Sequence, residues 1–205
     1  MSLVFYYAPM STAVTVHWAL EELGVPYEAV AIDLAARDQD KPGYRALNPN
    51  GKVPLLVHDG TPIFESAAII LHLGETFGVE RDLFPAPGLE RAEAFKWLVW
   101  ANVSLGHAVR AFLDNTSDRV PAAQRNAEAA KVARAEVERL LGILDADLAG
   151  KTYLVGERFS LVDVHLASFV GWLNMIGFAT PPESNLGAWL GRCASRPGHA
   201  TSLAA

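Results

Sequence analysis

The sequence predicts an α/β unit followed by an all-helical unit. In the first 77 residues, short apolar runs alternate with helical stripes, which is the pattern of a small sheet covered by helices. After residue 88 the apolar residues recur at helical spacing and no strand pattern is found. Residues 78–88 contain two prolines and two glycines without apolar periodicity, which is typical of a linker. We therefore predict domains at 1–77 and 89–205.

Composition excludes several classes of protein. Of 205 residues, 51% are hydrophobic and 20% are charged, as in globular proteins. A net charge of −6 without a dense cluster of Lys or Arg argues against nucleic acid as a partner. No uncharged apolar stretch reaches the ~18 residues that cross a membrane, and the chain does not start like a signal peptide. The single cysteine, Cys193, excludes an internal disulfide and is expected to be a buried small hydrophobe. We expect a cytoplasmic protein.

The first elements form a βαβ pattern. Residues 3–7 are β-branched and aromatic, which favours a strand. A helical stripe runs from Val16 to Leu23 and stops at Gly24. Residues 27–34 alternate roughly and predict a second strand, parallel to the first.

A hairpin and a helix complete the first unit. The apolar run 53–57 predicts a covered strand, and Asp59-Gly60 supplies hairpin chemistry. A helix is expected over 66–77, so that the sheet has about four strands. This order of elements resembles the thioredoxin fold.

Four helices are predicted in the second unit. The longest keeps apolar residues at helical spacing and ends before Gly150. Ser160 and Asp163 form a capping box that opens the next one. The predicted ranges are 89–114, 121–148, 160–175 and 186–194.

Two turns predict a binding site for a short peptide. X-Pro bonds are the ones in which a cis peptide is inexpensive, so Val53-Pro54 is a candidate cis bond after the Asn-Pro-Asn-Gly turn. A cis bond there would present the backbone of Val53 as a strand edge to an extended peptide. Glu65-Ser66 opens a helix, where free N–H groups favour a carboxylate.

These motifs resemble the glutathione-binding half of the soluble glutathione transferases, in particular a bacterial serine-type or beta-like branch. The segment from Gly156 to Asp163 is similar to the helix-capping motif of that family's helical second domain. The resemblance implies glutathione as co-substrate, a small hydrophobic electrophile as second substrate, and a homodimer. The residues implied to hold glutathione are Lys52, Val53, Pro54, Glu65 and Ser66.

Three hydroxyls compete to stabilise a glutathione thiolate at the turn between the first strand and the first helix. Ser11 is the best-placed match to the serine-type branches. Thr12 falls where another bacterial branch carries cysteine. Tyr6 or Tyr7 would match the tyrosine-type branch, although the sequence after them fits that branch less well. Ser11 at such a position also commonly caps a helix. The turn has no cysteine, which excludes thiol–disulfide exchange by a protein thiol there.

Met10 and His107 are expected to wall the electrophile pocket between the domains. His107, however, lies one residue further from Trp97 than the pattern of the related branch requires, and one residue turns a helical side chain by about 100°. The histidines show no paired metal-binding spacing, so no metal is predicted.

The resemblance implies an enzyme that activates the glutathione thiol for attack on the electrophile. Two alternatives remain open. One is a non-catalytic binding or regulatory protein of the same fold. The other is a glutathione-dependent isomerase or dehalogenase.

Overall fold

The computed structural model describes residues 1–203. Its first half is a four-stranded sheet with three helices, in the order β1 (Leu3–Tyr7), α1 (Ala13–Leu23), β2 (Glu28–Ala31), α2 (Pro42–Leu47), β3 (Leu55–His58), β4 (Thr61–Phe64) and α3 (Ser66–Leu73). The strands lie in the order β2-β1-β3-β4, with β1 parallel to β2 and antiparallel to β3, and with β3 antiparallel to β4. This confirms the predicted thioredoxin-like domain.

Local boundaries in this half differ from the prediction. The second strand ends at Ala31, not at residue 34, because Asp33 turns the chain by accepting hydrogen bonds from the next backbone N–H groups. The short helix α2 was not predicted, since six residues are too few to show a helical stripe. The helix predicted over 66–77 is α-helical to Leu73 and continues as a π turn over Gly74–Gly78.

Up to residue 203 the second half contains six α-helices: α4 (Leu89–Trp100), α5 (Gly106–Thr116), α6 (Ala127–Asp147), α7 (Leu161–Met175), α8 (Asn185–Ala194) and α9 (Pro197–Leu203). A π turn over Ala101–Leu105 joins α4 to α5. Between residues 89 and 203 the chain forms no strand, which confirms the predicted all-helical domain. No helix within the described 203 residues is both long and apolar enough to cross a bilayer. The domain limits at 77 and 89 stay a prediction.

In this half, α6 and α7 each begin directly after a residue whose side chain caps the helix. The helix α6 begins later than the predicted residue 121 because Asn126 accepts hydrogen bonds from the N–H groups of Glu128 and Ala129. The predicted capping box of Ser160 and Asp163 is confirmed at the start of α7. The helix α9 was not predicted.

The core continues through both halves. Apolar side chains of β1, α1 and α3 pack in one cluster with those of α4 to α8. Cys193 is fully buried in this cluster, as predicted, and burial raises the pKa of its thiol. It is therefore a packing residue.

An ion pair links α1 to the segment between α8 and α9. The carboxylate of Glu22 accepts hydrogen bonds from Nε of Arg196 at 2.9 Å and from its Nη2 at 2.6 Å. It also accepts one from the indole of Trp18 at 2.9 Å. The Glu22 side chain is 5% exposed, and the guanidinium lies over the ring of Phe159. The carboxylate therefore depends on Arg196 for charge compensation.

Replacing Arg196 with methionine is expected to lower the free energy of unfolding by about 2–3 kcal/mol, because a buried carboxylate loses its cation. Urea denaturation measures this. The double variant Glu22→Gln with Arg196→Met should recover part of the loss, since no charge is then buried. Arg37→Ala, which removes an ion pair with Asp40 at the surface, should leave stability nearly unchanged because water screens such a pair. Equal losses for the Arg37 and Arg196 variants would contradict this role.

A buried histidine connects α7 to the π turn after α4. His165 Nε2 lies 2.8 Å from the amide nitrogen of Asn102, which also donates to the carbonyl of Leu98. Because an amide nitrogen is a donor, Nε2 accepts and the proton of the neutral ring sits on Nδ1. Burial lowers the pKa of His165 to about 4.

This pKa predicts a loss of stability in acid. The unfolded chain takes up a proton near pH 6.5 and the folded chain only near pH 4, so stability is complete above about 6.5 and falls toward 4. The contribution of His165 over that window is about 3 kcal/mol. Unfolding followed from pH 7 to 4 should show a flatter profile for His165→Gln than for wild type. His107→Gln, at an exposed position, is the control and should keep the wild-type slope.

Candidate functional site

The expected binding edge lies just before β3. The Val53-Pro54 peptide is cis, as the sequence allowed, and Pro54 is buried. The strand ladder starts at Leu55, so Val53 lies beyond it. Within residues 1–203 no group pairs with the backbone N–H of Val53, and its carbonyl contacts only the hydroxyl of Thr12. The backbone of Val53 is therefore available to an extended ligand.

The loop before this edge is fixed at the carbonyl of Lys52. That oxygen accepts hydrogen bonds from the phenol of Tyr44 at 2.6 Å and from the amide of Asn48 at 2.7 Å. Arg45 packs on the same loop, and a Cβ at Gly51 would lie 2.6 Å from its guanidinium carbon. Gly51 also has φ of 59°, a left-handed conformation that favours glycine. These contacts hold the peptide that precedes Val53.

Sequence reasoning missed the role of Tyr44 and Asn48. Asn48 was read only as part of a turn, yet its side chain is almost completely buried. An Asn in a turn commonly bonds nearby backbone groups, but the burial of its amide leaves no signal in the sequence. Tyr44 lies in α2, which gave no periodic pattern.

The second part of the expected site is the turn that opens α3. Glu65 has φ of 69° and ψ of 116°, which is uncommon for a residue other than glycine. Its side chain is exposed, and it makes no capping hydrogen bond to α3. Ser66 is the first residue of that helix, so free N–H groups of the first turn follow Glu65 directly in the chain.

The hydroxyl turn lies between β1 and α1. Ser11 Oγ donates to the carbonyl of Ala8 at 2.7 Å and accepts from the N–H of Ala13 at 3.2 Å. Thr12 occupies the N-cap position but makes no capping bond, and its hydroxyl lies 3.4 Å from the carbonyl oxygen of Val53. The structure thus brings Thr12 and the turn that holds Ser11 next to the free edge.

Tyr7 lies elsewhere. Its ring stacks on Phe5 at 5.6 Å and lies 6.2 Å from the ring of His17 of α1. These rings pack with the main core, whereas Val53 packs with a second cluster around Tyr44. Because side chains alternate along a strand, Tyr7 points to the face of β1 that packs against α1.

Two residues were expected to wall a second pocket. Met10 is 86% exposed and has φ of 55° in the hydroxyl turn. His107 is exposed in the first turn of α5. The π turn between Trp97 and His107 holds one residue more than an α turn. The rotation of about 100° holds for a regular helix, so the number of residues between Trp97 and His107 does not give the direction of His107.

A cavity of about 360 Å³ opens beside the hydroxyl turn. It lies at the carboxyl ends of β1 and β2, and its wall is mainly apolar. The lining residues are Ala8, Pro9, Ala31, Ile32, Asp33, Leu34 and Asp38. Within the part of the chain that the structure describes, no three metal-binding side chains come together.

Comparison with known proteins identifies the family. Residues 9–76 match the description "Glutathione S-transferase, N-terminal domain", and residues 102–197 match "Glutathione S-transferase, C-terminal domain". The chain is 36% identical over 183 residues to glutathione S-transferase GstB of Escherichia coli, covering 87% of this chain and 86% of that protein. This chain belongs to the glutathione S-transferase family.

Solved structures of this family agree with the fold. The theta class glutathione S-transferase of Xanthomonas axonopodis pv. citri, with glutathione bound, is 30% identical with a TM-score of 0.85, over 100% of this chain and 98% of that one. A sphingomonad glutathione S-transferase complexed with glutathione is also 30% identical, with a TM-score of 0.83 over 98% and 97%. Ure2p in complex with glutathione has a TM-score of 0.88 over 100% and 93%, but at 21% identity it supports only the fold.

Proposed function

We propose that the chain is a glutathione transferase that activates the glutathione thiol for attack on a small hydrophobic electrophile. The observation that carries the proposal is the backbone of Val53 at the cis-proline: within residues 1–203 its N–H has no partner, and its carbonyl accepts only a long hydrogen bond from Thr12, next to the turn of Ser11. The family and the glutathione bound to two relatives at 30% identity support it.

Glutathione would be held at both of its ends. Its cysteinyl backbone pairs with the N–H and C=O of Val53, as an added strand does. The γ-glutamyl end places its carboxylate on the first turn of α3 at Ser66 and its ammonium group on Glu65. The exposed ammonium group of Lys52 favours the other carboxylate.

The chemical step begins with loss of the thiol proton to water. A hydroxyl of Ser11 or Thr12, the two that lie in the turn next to Val53, then donates a hydrogen bond to the sulfur anion and stabilises it. Lowering the thiol pKa by ~2 units requires about 2.7 kcal/mol, which one charge-assisted hydrogen bond and a helix N-terminus supply together. The thiolate forms a bond to the electrophilic carbon, and the leaving group departs with its electron pair.

Met10 and His107 would contact the electrophile. Both are exposed, and Met10 extends from the same turn as Ser11 and Thr12. An apolar wall next to the sulfur places the two substrates side by side, which lowers the entropic part of the barrier.

A non-catalytic glutathione-binding protein is the second candidate. It is favoured by the hydrogen bonds of Ser11, whose hydroxyl hydrogen is directed at Ala8 and not toward the free edge. An isomerase or dehalogenase would use the same thiolate on another substrate. Turnover of a generic aromatic halide with glutathione separates the transferase from the non-catalytic protein.

Calorimetry with reduced glutathione tests the site. Glu65→Ala should weaken binding by about 2 kcal/mol, because it removes a charge-assisted hydrogen bond to the ligand's ammonium group. Glu80→Ala is the matched control, since Glu80 is exposed in the short helical turn after α3 and should leave affinity unchanged. Equal affinities for wild type and Glu65→Ala would contradict the assignment of the γ-glutamyl end.

We further propose that the chain forms a homodimer through α4 and the π turn that follows it. Phe95, Val99 and Val103 recur every four residues and are 38%, 55% and 51% exposed, forming an apolar stripe. Such a stripe favours a second copy of the chain as its cover.

Light scattering at micromolar concentration should give twice the chain mass of 22.1 kDa. Val99→Arg should shift the mass to that of one chain, because a cation would be buried in the interface. Val132→Arg, at a 71% exposed position on α6, should remain dimeric. A wild-type mass near that of a single chain would rule the homodimer out.

A further inference from the structure

The hydroxyls of Ser11 and Thr12, in the turn between β1 and α1, differ in how strongly they are hydrogen-bonded to the protein. Ser11 Oγ both donates and accepts, at 2.7 Å to Ala8 and 3.2 Å from Ala13, and these two bonds close the turn. Its single hydrogen is therefore already used by a protein carbonyl. A thiolate at Ser11 would have to break the shorter of these bonds.

The Thr12 hydroxyl, by contrast, is not held by a short hydrogen bond. It makes no capping bond to α1, its residue is exposed, and its hydroxyl has one contact, at 3.4 Å to the carbonyl oxygen of Val53. This distance is well beyond the usual 2.7–2.8 Å of an O–H···O bond, so little is lost when it breaks. The hydrogen of Thr12 is thus available to a ligand.

We propose that Thr12, and not Ser11, donates the hydrogen bond that stabilises the glutathione thiolate, which rests on the proposed function. The backbone N–H of the bound cysteinyl residue takes the carbonyl of Val53, and the Thr12 hydroxyl turns from that carbonyl to the sulfur. Ligand binding and thiol activation are then coupled through one carbonyl oxygen. Ser11 is a positioning residue that holds the turn closed.

The chemical balance of the step is simple. The thiol loses its proton to water, and no proton is taken from Thr12, which keeps its hydrogen and shares it with the sulfur anion. The bond from Thr12 to Val53 is replaced by one from the ligand N–H to Val53. The number of hydrogen bonds at the edge therefore does not fall.

The pKa of the bound thiol measures the role of Thr12. It is obtained from the ultraviolet absorbance of the thiolate as a function of pH at saturating glutathione. Thr12→Val keeps the shape of the side chain without the hydroxyl and should raise this pKa by about one unit, from about 6.5 to about 7.5, so that turnover at pH 7 falls about threefold with the thiolate fraction. Thr12→Ser should restore both values. Glutathione affinity by calorimetry should stay within about threefold, since the ionised sulfur gains most from the bond.

Ser11→Ala is the contrasting variant. It should lower the melting temperature while leaving the thiol pKa within a few tenths of a unit, because Ser11 acts on the turn. A raised pKa in Ser11→Ala with an unchanged one in Thr12→Val would overturn the inference and leave the proposed function standing. A wild-type protein that does not bind glutathione would contradict both.

An ester analogue of glutathione tests the exchange at Val53. In it, oxygen replaces the cysteinyl N–H, so the ligand cannot donate to the Val53 carbonyl and Thr12 stays there. The bound thiol of the analogue should then have the same pKa in wild type and in Thr12→Val. An analogue whose thiol pKa still depends on Thr12 would refute the coupling.

Discussion

The buried carboxylate of Asp163 joins α7 to its neighbours, and the position of the sheet domain depends on α7. Asp163 is completely buried at the start of α7 and accepts hydrogen bonds from the backbone N–H groups of Leu154 and Ser160 and from the indole of Trp189. Burial raises its pKa, and these donors oppose that effect. The carboxylate fixes α7 to the preceding loop and to α8. Since α7 packs against α1, α3 and α4, it also determines where the sheet domain sits.

The position of the candidate site depends on α7 because α7 packs against α1. That helix is buried between the sheet and the helical domain, and its N-terminal turn carries Ser11 and Thr12. The other wall, the cis-proline loop, is set by hydrogen bonds to the carbonyl of Lys52. A hydrogen bond from the Thr12 hydroxyl to the Val53 carbonyl joins the two walls. Met10 and Glu65 border this region with positive φ angles, a conformation that costs on the order of 1–3 kcal/mol in such residues.

The parts that could be predicted from the sequence are encoded locally. The cis bond follows a turn sequence, and the capping box of Ser160 and Asp163 requires only residues three apart. The parts that were missed depend on distant partners. The Asn48 amide is recognised as a buried donor only once the carbonyl of Lys52 lies next to it. The helix α9 is stabilised by its packing on α1, which is far away in the sequence. The difference between the hydroxyls of Ser11 and Thr12 depends on carbonyls that no sequence pattern orients.

The π turn after α4 changes the direction in which His107 is expected to point. Counted along a regular helix, His107 would point away from the position expected from Trp97. The extra residue is contained in Ala101–Leu105, where regular i+4 pairing is interrupted. The amide of Asn102 donates to the Leu98 carbonyl and to His165 of α7, which holds the bulge against the core. Because the bulge is fixed on its inner side, the direction of His107 is set by this turn and not by the number of residues that separate it from Trp97.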